Sequence, residues 1–253
     1  DRPLHFLDEA LDANGQRDLK VIYDSSGRFE KVIDANGNTV SQQLYSGIPQ
    51  NVGVVRDANG NETRLEFKPD GNVEREIDPD GNVTIRKYED ARNPDLETEI
   101  VDRRGFITTR SYDDRGNVLE IRETGTASQP FATPIVTKFT YNARNDVTSI
   151  TNALGQTTKF EYDGKGNLLK ITNADNKSST FKYDDAGRKI EHVDFNGNKT
   201  QFVYTAPDCG CSNPREIIYA DGTKQTFGYN QFSQVTKEEY LEADGTVVQR
   251  REW

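Results

Sequence analysis

Histidine and cysteine are scarce in this chain, which removes most metal and nucleophile chemistry from consideration. The 253 residues include two histidines, His5 and His192, and two cysteines, Cys209 and Cys211. One glycine separates the cysteines, so a bridge between them would close a very tight ring, and two thiols do not supply the four ligands of a structural zinc site. We expect two loop thiols, with metal or redox chemistry as the alternative. We expect no catalytic residue, no cofactor and no bound metal, and therefore no enzyme.

Long apolar runs and basic clusters are also missing. Residues 52–55, the nearest approach to an apolar run, fall far short of the roughly 20 residues that a membrane span needs. The 32 Lys and Arg against 42 Asp and Glu give a net charge of −10 without a basic cluster, so nucleic acid is not an expected partner. A hydrophobic fraction of 33% implies either partial disorder or a thin core. The regular spacing of the aromatic residues favours the thin core.

Aromatic residues recur along almost the whole chain, mostly 21 or 22 residues apart. We call these the anchor aromatics: Tyr23, Tyr45, Phe67, Tyr88, Tyr112, Tyr141, Tyr162, Tyr183, Tyr204 and Tyr229. Repetition of this kind predicts a single array over residues 1–253, with about ten units of ~21 residues. The longer steps contain insertions near 90–95, 123–134 and 206–214 that are rich in Pro, Gly and Ser, and we expect these to be loops.

Each unit predicts two strands and two turns. The residue two positions before an anchor is also large and apolar, as in Phe160 and Phe181, so both side chains lie on one face of a strand. Asn-Gly and Asp-Gly pairs favour hairpin turns in which both central residues take positive φ. The glycines assigned to these turns are Gly15, Gly37, Gly60, Gly81, Gly105, Gly155, Gly197, Gly222 and Gly245. The predicted fold is all-β, a single curved strip of stacked antiparallel hairpins with about twenty strands.

The unit Tyr-Asp-x-x-Gly-x-Leu-x-x-Ile resembles the YD repeat of the Rhs family. The clearest copies begin at Tyr112-Asp113, Tyr162-Asp163 and Tyr183-Asp184. The resemblance implies a spiral shell of β-hairpins, which in Rhs proteins and insecticidal toxin complexes encloses a C-terminal toxic polypeptide; in teneurins a similar barrel serves adhesion. We find neither a C-terminal Rhs core with self-cleaving aspartates nor a non-repetitive toxin segment within these 253 residues, and residues 1–4 do not have the pattern of a signal peptide. We therefore expect a fragment of shell wall from a longer bacterial protein that is secreted or on the cell surface.

The expected function is a non-enzymatic structural module whose partner is the remainder of its own polypeptide, including neighbouring repeats and an enclosed cargo. The alternative is a cell-surface adhesion or carbohydrate-binding module, in which the anchor tyrosines would form a ladder for glycans. Phe67 at one anchor favours packing, since phenylalanine lacks the hydroxyl that a ligand would use. A third reading, a calcium-stabilised β-roll, rests on residues 34–38, Asp-Ala-Asn-Gly-Asn, which only partly match a calcium loop.

Other polar residues have structural interpretations. Neighbouring carboxylates occur at Asp113-Asp114, Asp184-Asp185 and Glu238-Glu239. On a strand such neighbours would point to opposite faces and could not share a substrate proton, and in turns we expect caps and solvated charges. His192 occupies a position filled by isoleucine in other units, which predicts a half-buried wall residue.

Overall fold

The computed structural model describes residues 9–11, 17–25, 28–44, 51–204 and 213–253. These residues form 22 strands and no helix, which confirms the all-β class and the stacked antiparallel hairpins. The chain divides into two compact units, Asp1–Val136 and Thr137–Trp253. No helix long and apolar enough to span a membrane occurs in the described part of the chain.

The strands follow one another closely in sequence. They are β1 (Glu9–Leu11), β2 (Arg17–Tyr23), β3 (Phe29–Asp34), β4 (Thr39–Leu44), β5 (Val52–Asp57), β6 (Glu62–Phe67), β7 (Val73–Ile77), β8 (Val83–Lys87), β9 (Glu99–Val101), β10 (Phe106–Tyr112), β11 (Val118–Thr126), β12 (Pro130–Tyr141), β13 (Val147–Thr151), β14 (Thr157–Tyr162), β15 (Leu168–Thr172), β16 (Ser178–Tyr183), β17 (Lys189–Val193), β18 (Lys199–Val203), β19 (Glu216–Ile218), β20 (Lys224–Tyr229), β21 (Val235–Leu241) and β22 (Val247–Glu252).

Pairing runs between sequence neighbours in both units. In the first unit each strand from β1 to β10 pairs antiparallel with the next one. In the second unit the same holds from β12 to β22. Each unit is therefore a meander, in which consecutive hairpins share a hydrogen-bonded ladder.

The turns differ from the sequence prediction in their backbone geometry. In the turn at residues 34–38, Gly37 N donates to Asp34 O and Asp34 N donates to Asn38 O. Gly37 has φ +87°, whereas Asn36 is not among the residues with positive φ. This is the pattern of a type I turn closed by one left-handed residue, not of a type I′ turn with two. The prediction that both central residues take positive φ is therefore wrong.

In most of these turns the side chain of the first residue, usually an aspartate, accepts hydrogen bonds from backbone N–H groups of the same turn. Asp34 Oδ1 accepts hydrogen bonds from the backbone N–H groups of Asn36 (2.9 Å) and Asn38 (2.8 Å). The Asn38 amide then donates to Asp34 Oδ2 at 3.0 Å. An Asp or Asn side chain in this position accepts hydrogen bonds from backbone N–H groups that would otherwise bond only to water. The turn can therefore form with few buried apolar side chains.

Three turns that lack Asp or Asn at the first position carry an aspartate two residues later. Lys68, Tyr219 and Glu242 begin these turns. Their third residues are Asp70, Asp221 and Asp244, and each accepts a bond from the backbone N–H that closes the turn, at 2.8 to 3.1 Å. The closing N–H thus has a carboxylate partner in either arrangement.

The structure places eight of the nine predicted turn glycines at the left-handed closing position, with φ between 76° and 88°; Gly15 lies outside the described residues. Three turns use another residue there: Asn145, Asn176 and Ser233, with φ of 69°, 59° and 61°. Asparagine tolerates this conformation better than most side chains.

The insertion near 123–134 is not a loop. β11 continues to Thr126 and β12 begins at Pro130, so the segment lengthens a hairpin, and Thr126 and Gln129 exchange two backbone hydrogen bonds at 3.2 Å. Phe131 lies against Phe106, with ring centroids 6.1 Å apart, and proline is tolerated at the first residue of a strand. Residues 90–95 do lie in the connection between β8 and β9, and residues 206–212 of the third insertion fall outside the described part.

The described strands number 22 rather than about twenty because an eleventh hairpin, β21–β22, follows the last tyrosine anchor. Trp253 stands directly after β22, at the place of an anchor aromatic. Its backbone N–H donates to Thr236 O at 3.1 Å, as the N–H of Phe67 donates to Asn51 O at 2.8 Å. An alignment on tyrosine and phenylalanine omits this tryptophan.

The core is thin, as the composition predicts. Among the described side chains, Tyr112 (6% exposed) is the buried hydrophobic one and Ser179 (3%) the buried polar one. In the second unit the cross-strand pairs Phe160–Ile171 and Phe202–Ile217 lie on one face. The opposite face carries ion pairs such as Lys182–Glu191 at 2.7 Å.

Neighbouring aspartates allow a direct test of the turn carboxylate. Asp184 accepts from Arg188 N at 2.8 Å and Arg188 Nε at 2.7 Å, whereas the carboxylate of Asp185 bonds to no described residue. We expect Asp184→Ala to lower the melting temperature, because the closing N–H loses its partner. Asp185→Ala should leave it unchanged. Equal melting temperatures for the two variants, measured by circular dichroism, would contradict the role of the carboxylate.

Candidate functional site

The hydroxyls of the anchor tyrosines bond to the backbone at a fixed separation in sequence. Tyr162 Oη donates to Val147 O at 2.9 Å, 15 residues earlier. Four further tyrosines donate to the carbonyl oxygen 15 residues earlier, at 2.6 to 3.1 Å: Tyr88 to Val73, Tyr112 to Glu97, Tyr204 to Lys189 and Tyr229 to Pro214. The bond joins the two strands of one hairpin at the end opposite its turn, so it holds the open end of the hairpin together.

Among the anchor tyrosines Tyr112 is buried, and Tyr88, Tyr162, Tyr183 and Tyr204 are half-buried. Desolvation by burial raises the pKa of Tyr88, Tyr112, Tyr162, Tyr183 and Tyr204 above the usual phenol value. A phenol that is both partly desolvated and already donating to a carbonyl is poorly placed to bind a sugar.

The remaining anchors end strands in the same way. Tyr23, Tyr141 and Tyr183 pair with Phe29, Val147 and Lys189 beside a bulge. Phe67 pairs with Val73 beside a bulge and lacks a hydroxyl. Tyr45 lies outside the described residues. The structural role of the anchors and turn glycines as a set stays a prediction.

The aspartate that follows the tyrosine acts on the backbone as well. In the turn after Tyr112, Asp113 accepts from Arg115 N, Asn117 N and the Asn117 amide at 2.8 to 2.9 Å. The hydrogen bond from the Asn117 side chain is the main cause that lowers the pKa of Asp113 to about 2. The Tyr-Asp pair therefore combines a hydroxyl that closes one hairpin with a carboxylate that shapes the next turn.

Successive turns on the tyrosine side contact each other through basic and amide side chains. Arg144 donates to Gly164 O at 2.6 Å and to Asp163 O at 2.9 Å, both in the next such turn. Lys165 Nζ donates to Asp185 O at 3.1 Å in the turn after that. In the first unit Asn93 reaches Asp113 O at 2.9 Å. Sequence reasoning missed these contacts, although a basic residue at the third turn position in Arg144 and Lys165 was a visible signal.

A polar network interrupts the apolar face near its last strands. Gln225 donates to Glu238 at 2.5 Å and to the Tyr240 hydroxyl at 3.0 Å. Tyr219 donates to Gln225 at 2.9 Å, and the Glu238 side chain is only 13% exposed beside Arg251. Glu238 lies within β21 on the aromatic face, opposite Phe227, and its neighbour Glu239 lies opposite Thr226, so the two carboxylates belong to opposite faces of a strand rather than to a turn.

Ser179 and His192 form the one serine–histidine contact in the described part of the chain. Their Oγ and Nε2 atoms lie 2.9 Å apart, and the histidine ring stacks on Phe181 with centroids 4.7 Å apart. Ser179 Oγ donates its proton to Val193 O at 2.9 Å, so the imidazole is left to donate rather than to act as a base. With Ser179 only 3% exposed, a substrate has no access to the hydroxyl. His192 is half-buried within the wall, where isoleucine stands in other units.

The other candidates for ligand binding are the partial calcium-loop pattern, clusters of metal-ligating side chains, and the remaining histidine and cysteines. Both oxygens of Asp34 bond to groups of its own turn, so the partial calcium-loop pattern acts as a turn cap. The described residues contain no group of three or more His, Cys, Asp or Glu side chains arranged to hold a metal. His5, Cys209 and Cys211 lie outside the described residues.

Comparison with known proteins supports the repeat interpretation. The model of a family described as RHS Repeat matches residues 141–178 and 162–199, which confirms the resemblance to that family over residues 141–199. No curated protein matches the chain.

Solved structures of toxin-complex proteins have a similar fold. The crystal structure of TcdB2-TccC3-Cdc42 superposes with a TM-score of 0.54 at 15% identity, over 92% of this chain and 14% of that one. A Photorhabdus luminescens Tc holotoxin pore with the mutation TccC3-D651A gives 0.53 at 15% identity, and covers 92% and 14%. TcdB2-TccC3 gives 0.53 at 15% identity, over 92% and 15%. The chain thus spans about one seventh of the chains that it matches.

Removing one anchor hydroxyl tests the closure of the hairpin. We expect Tyr162→Phe to cost about 1 kcal/mol of unfolding free energy, since one hydrogen bond to a half-buried carbonyl is lost while the ring remains. Tyr219→Phe, which removes an exposed phenol bonded only to a side chain, is the matched control. Denaturant unfolding followed by fluorescence measures both. A Tyr162→Phe midpoint no lower than that of the control would contradict the role of the hydroxyl.

The turn carboxylates predict a dependence of stability on acidity. Hydrogen bonds from the asparagine four residues later are the leading cause that lowers the pKa of Asp34, Asp57, Asp113, Asp163 and Asp194 below 3.8. Because these pKa values are lower in the folded chain, the ionised carboxylates stabilise it at higher pH, and this stabilisation disappears as the pH falls through the folded values.

Melting temperature measured between about pH 6 and pH 2 should therefore stay level down to about pH 4 and then fall. Asp113→Asn should make the acid limb shallower, because asparagine occupies the same position natively at Asn142 and does not titrate. A melting temperature that rises between pH 4 and pH 2 would show that these carboxylates do not stabilise the turns.

Proposed function

We propose that this chain, with its RHS repeats at residues 141–199, forms part of the wall of an Rhs-type shell that encapsulates a C-terminal toxin or effector. The observation that carries the proposal is the tyrosine-to-carbonyl bond. It recurs five times at the same separation and joins the two strands of each of these five hairpins. These hydroxyls therefore serve the hairpin and not a ligand. Hairpins closed in this way can be added one after another without a separate core.

The likeness to TcdB2-TccC3 structures supports this proposal at the level of the fold. Since the chain spans about one seventh of those chains, the unit of function is the whole polypeptide, and its chief partners are neighbouring repeats and the enclosed segment. A location outside the bacterial cytoplasm or at the cell surface follows from that role. The wall itself is non-enzymatic in this proposal, and the buried hydroxyl of Ser179 supports that reading.

The contacts of the anchor aromatics do not support the alternative of an adhesion or carbohydrate-binding module. The hydroxyls of five anchors already donate to carbonyl oxygens, and Tyr112, one of these five, is only 6% exposed. A glycan ladder would need phenols with open faces and free hydroxyls.

The test uses the full-length polypeptide that contains residues 1–253. Electron cryomicroscopy should show these residues as a stretch of hairpins in the wall of a closed shell, with further polypeptide inside it. Limited proteolysis should leave the C-terminal segment intact, and the same segment should be cut once the shell is opened by heat. A C-terminal segment cut at equal rates before and after heating, or density for an extended rod with no interior, would overturn the proposal.

A further inference from the structure

An open cleft of about 500 Å³ lies in the second unit, between two turns on the side away from the tyrosines. The turns are those at residues 152–156 and 173–177. The lining combines amide, hydroxyl and ammonium groups, including Gln156, Thr157, Lys159, Thr172 and Asn176. A volume of this size accommodates a small ligand.

Lys159 differs from five other lysines on the same face. Lys170, Lys182, Lys199, Lys224 and Lys237 each form an ion pair with a glutamate, at 2.7 to 3.2 Å. Lys159 forms no ion pair with any residue that the structure describes, and its side chain lines the cleft. An ammonium group without a counter-charge attracts an anion, and the attraction strengthens where the walls of a cleft limit the surrounding water.

Hydroxyl groups surround Lys159 on the neighbouring strands. It stands opposite Ser149 on β13 and Thr172 on β15. The hydroxyls of Thr151 and Thr157 lie 2.9 Å apart, and those of Thr172 and Ser178 lie 3.2 Å apart.

Each of these hydroxyl pairs uses one of its two protons for the bond within the pair. The second proton of each pair is then available to an acceptor in the cleft. Lys159 adds up to three N–H donors to these hydroxyls.

We propose that this cleft is a binding site for a small oxyanion, in which Lys159 supplies the positive charge and the Thr157 and Thr172 hydroxyls supply directed hydrogen bonds. The shared chemistry is a carboxylate or phosphate group. Asp175 belongs to the same lining and restricts the site to an anion small enough to sit beside Lys159. This inference is independent of the shell, because the cleft is made by two consecutive hairpins alone.

The experiment titrates the isotope-labelled 253-residue chain with inorganic phosphate and, separately, with succinate, at constant ionic strength set by sodium chloride. Saturable shifts in the amide resonances of Thr157, Lys159 and Thr172 are expected with at least one of the two ions. A response to phosphate alone or to succinate alone identifies which oxyanion the site takes.

Lys159→Gln should weaken this binding at least about tenfold, since a charge-assisted contact is lost. Lys159→Arg should retain it. Lys224→Gln is the matched control, because Lys224 lies on the same face but is paired with Glu216 at 2.9 Å. The melting temperature of each variant shows that it is folded.

Two results would overturn the proposal. One is the absence of saturable shifts with both ions. The other is equal weakening by Lys159→Gln and Lys224→Gln, which would indicate general attraction to a charged surface.

Discussion

Side chains that bond to the backbone complete the strand ladders of this sheet, in which few side chains are buried. A meander with few buried side chains gains little free energy of folding per hairpin from the hydrophobic effect, because most side chains leave part of their surface in water. The tyrosine hydroxyl at one end of a hairpin and the turn carboxylate at the other satisfy the polar groups where the strand ladder stops. Both act within a few residues of the strand ends, so the same local solution can be repeated without any change in the rest of the fold.

This dependence explains why the motif is a Tyr-Asp pair and not simply an aromatic. Tyr162 closes the hairpin that precedes it through Val147 O, and Asp163 shapes the turn that follows through Asn167. The two neighbouring side chains therefore serve two different hairpins. The pair keeps the register from drifting, because a shift of one residue would separate the hydroxyl and the carboxylate from both of their partners.

Much of the fold could be predicted from the sequence because periodicity of two within a strand and about 21 between units is a property of residue order alone. The aromatic spacing around Tyr162 and Tyr183 predicted hairpins that the structure contains. The turn type could not be predicted from Asn36-Gly37, since the same dipeptide suits both a two-residue type I′ turn and the observed type I turn closed by a left-handed glycine. The carboxylate of Asp34 decides between them, because it bonds to N–H groups that face it only in the observed turn.

Contacts between neighbouring repeats could not be predicted from the sequence either. Arg144 bonds to carbonyl oxygens of the next turn, and any residue type could have presented those acceptors. Residues 123–134 read as a loop by composition, but Phe131 against Phe106 makes a longer hairpin favourable. Likewise, Gln225 and Glu238 have polar side chains on the aromatic face, and only the three-dimensional pairing shows that they satisfy each other.

The turns beside the anchor tyrosines and the turns at the opposite ends of the hairpins form different surfaces. On the tyrosine side, Arg144 and Lys165 fill the space between successive turns with bonds to backbone carbonyls. On the other side, the turns at residues 152–156 and 173–177 leave a cleft, and Leu154 at its lining is 83% exposed. The basic residues in the tyrosine-side turns are therefore constrained by the neighbouring hairpin, whereas no such contact from a described residue fills the cleft between the turns at residues 152–156 and 173–177. A repeat sheet with this arrangement has turns that contact each other on the tyrosine side and, on the other side, a cleft that contains the binding site proposed around Lys159.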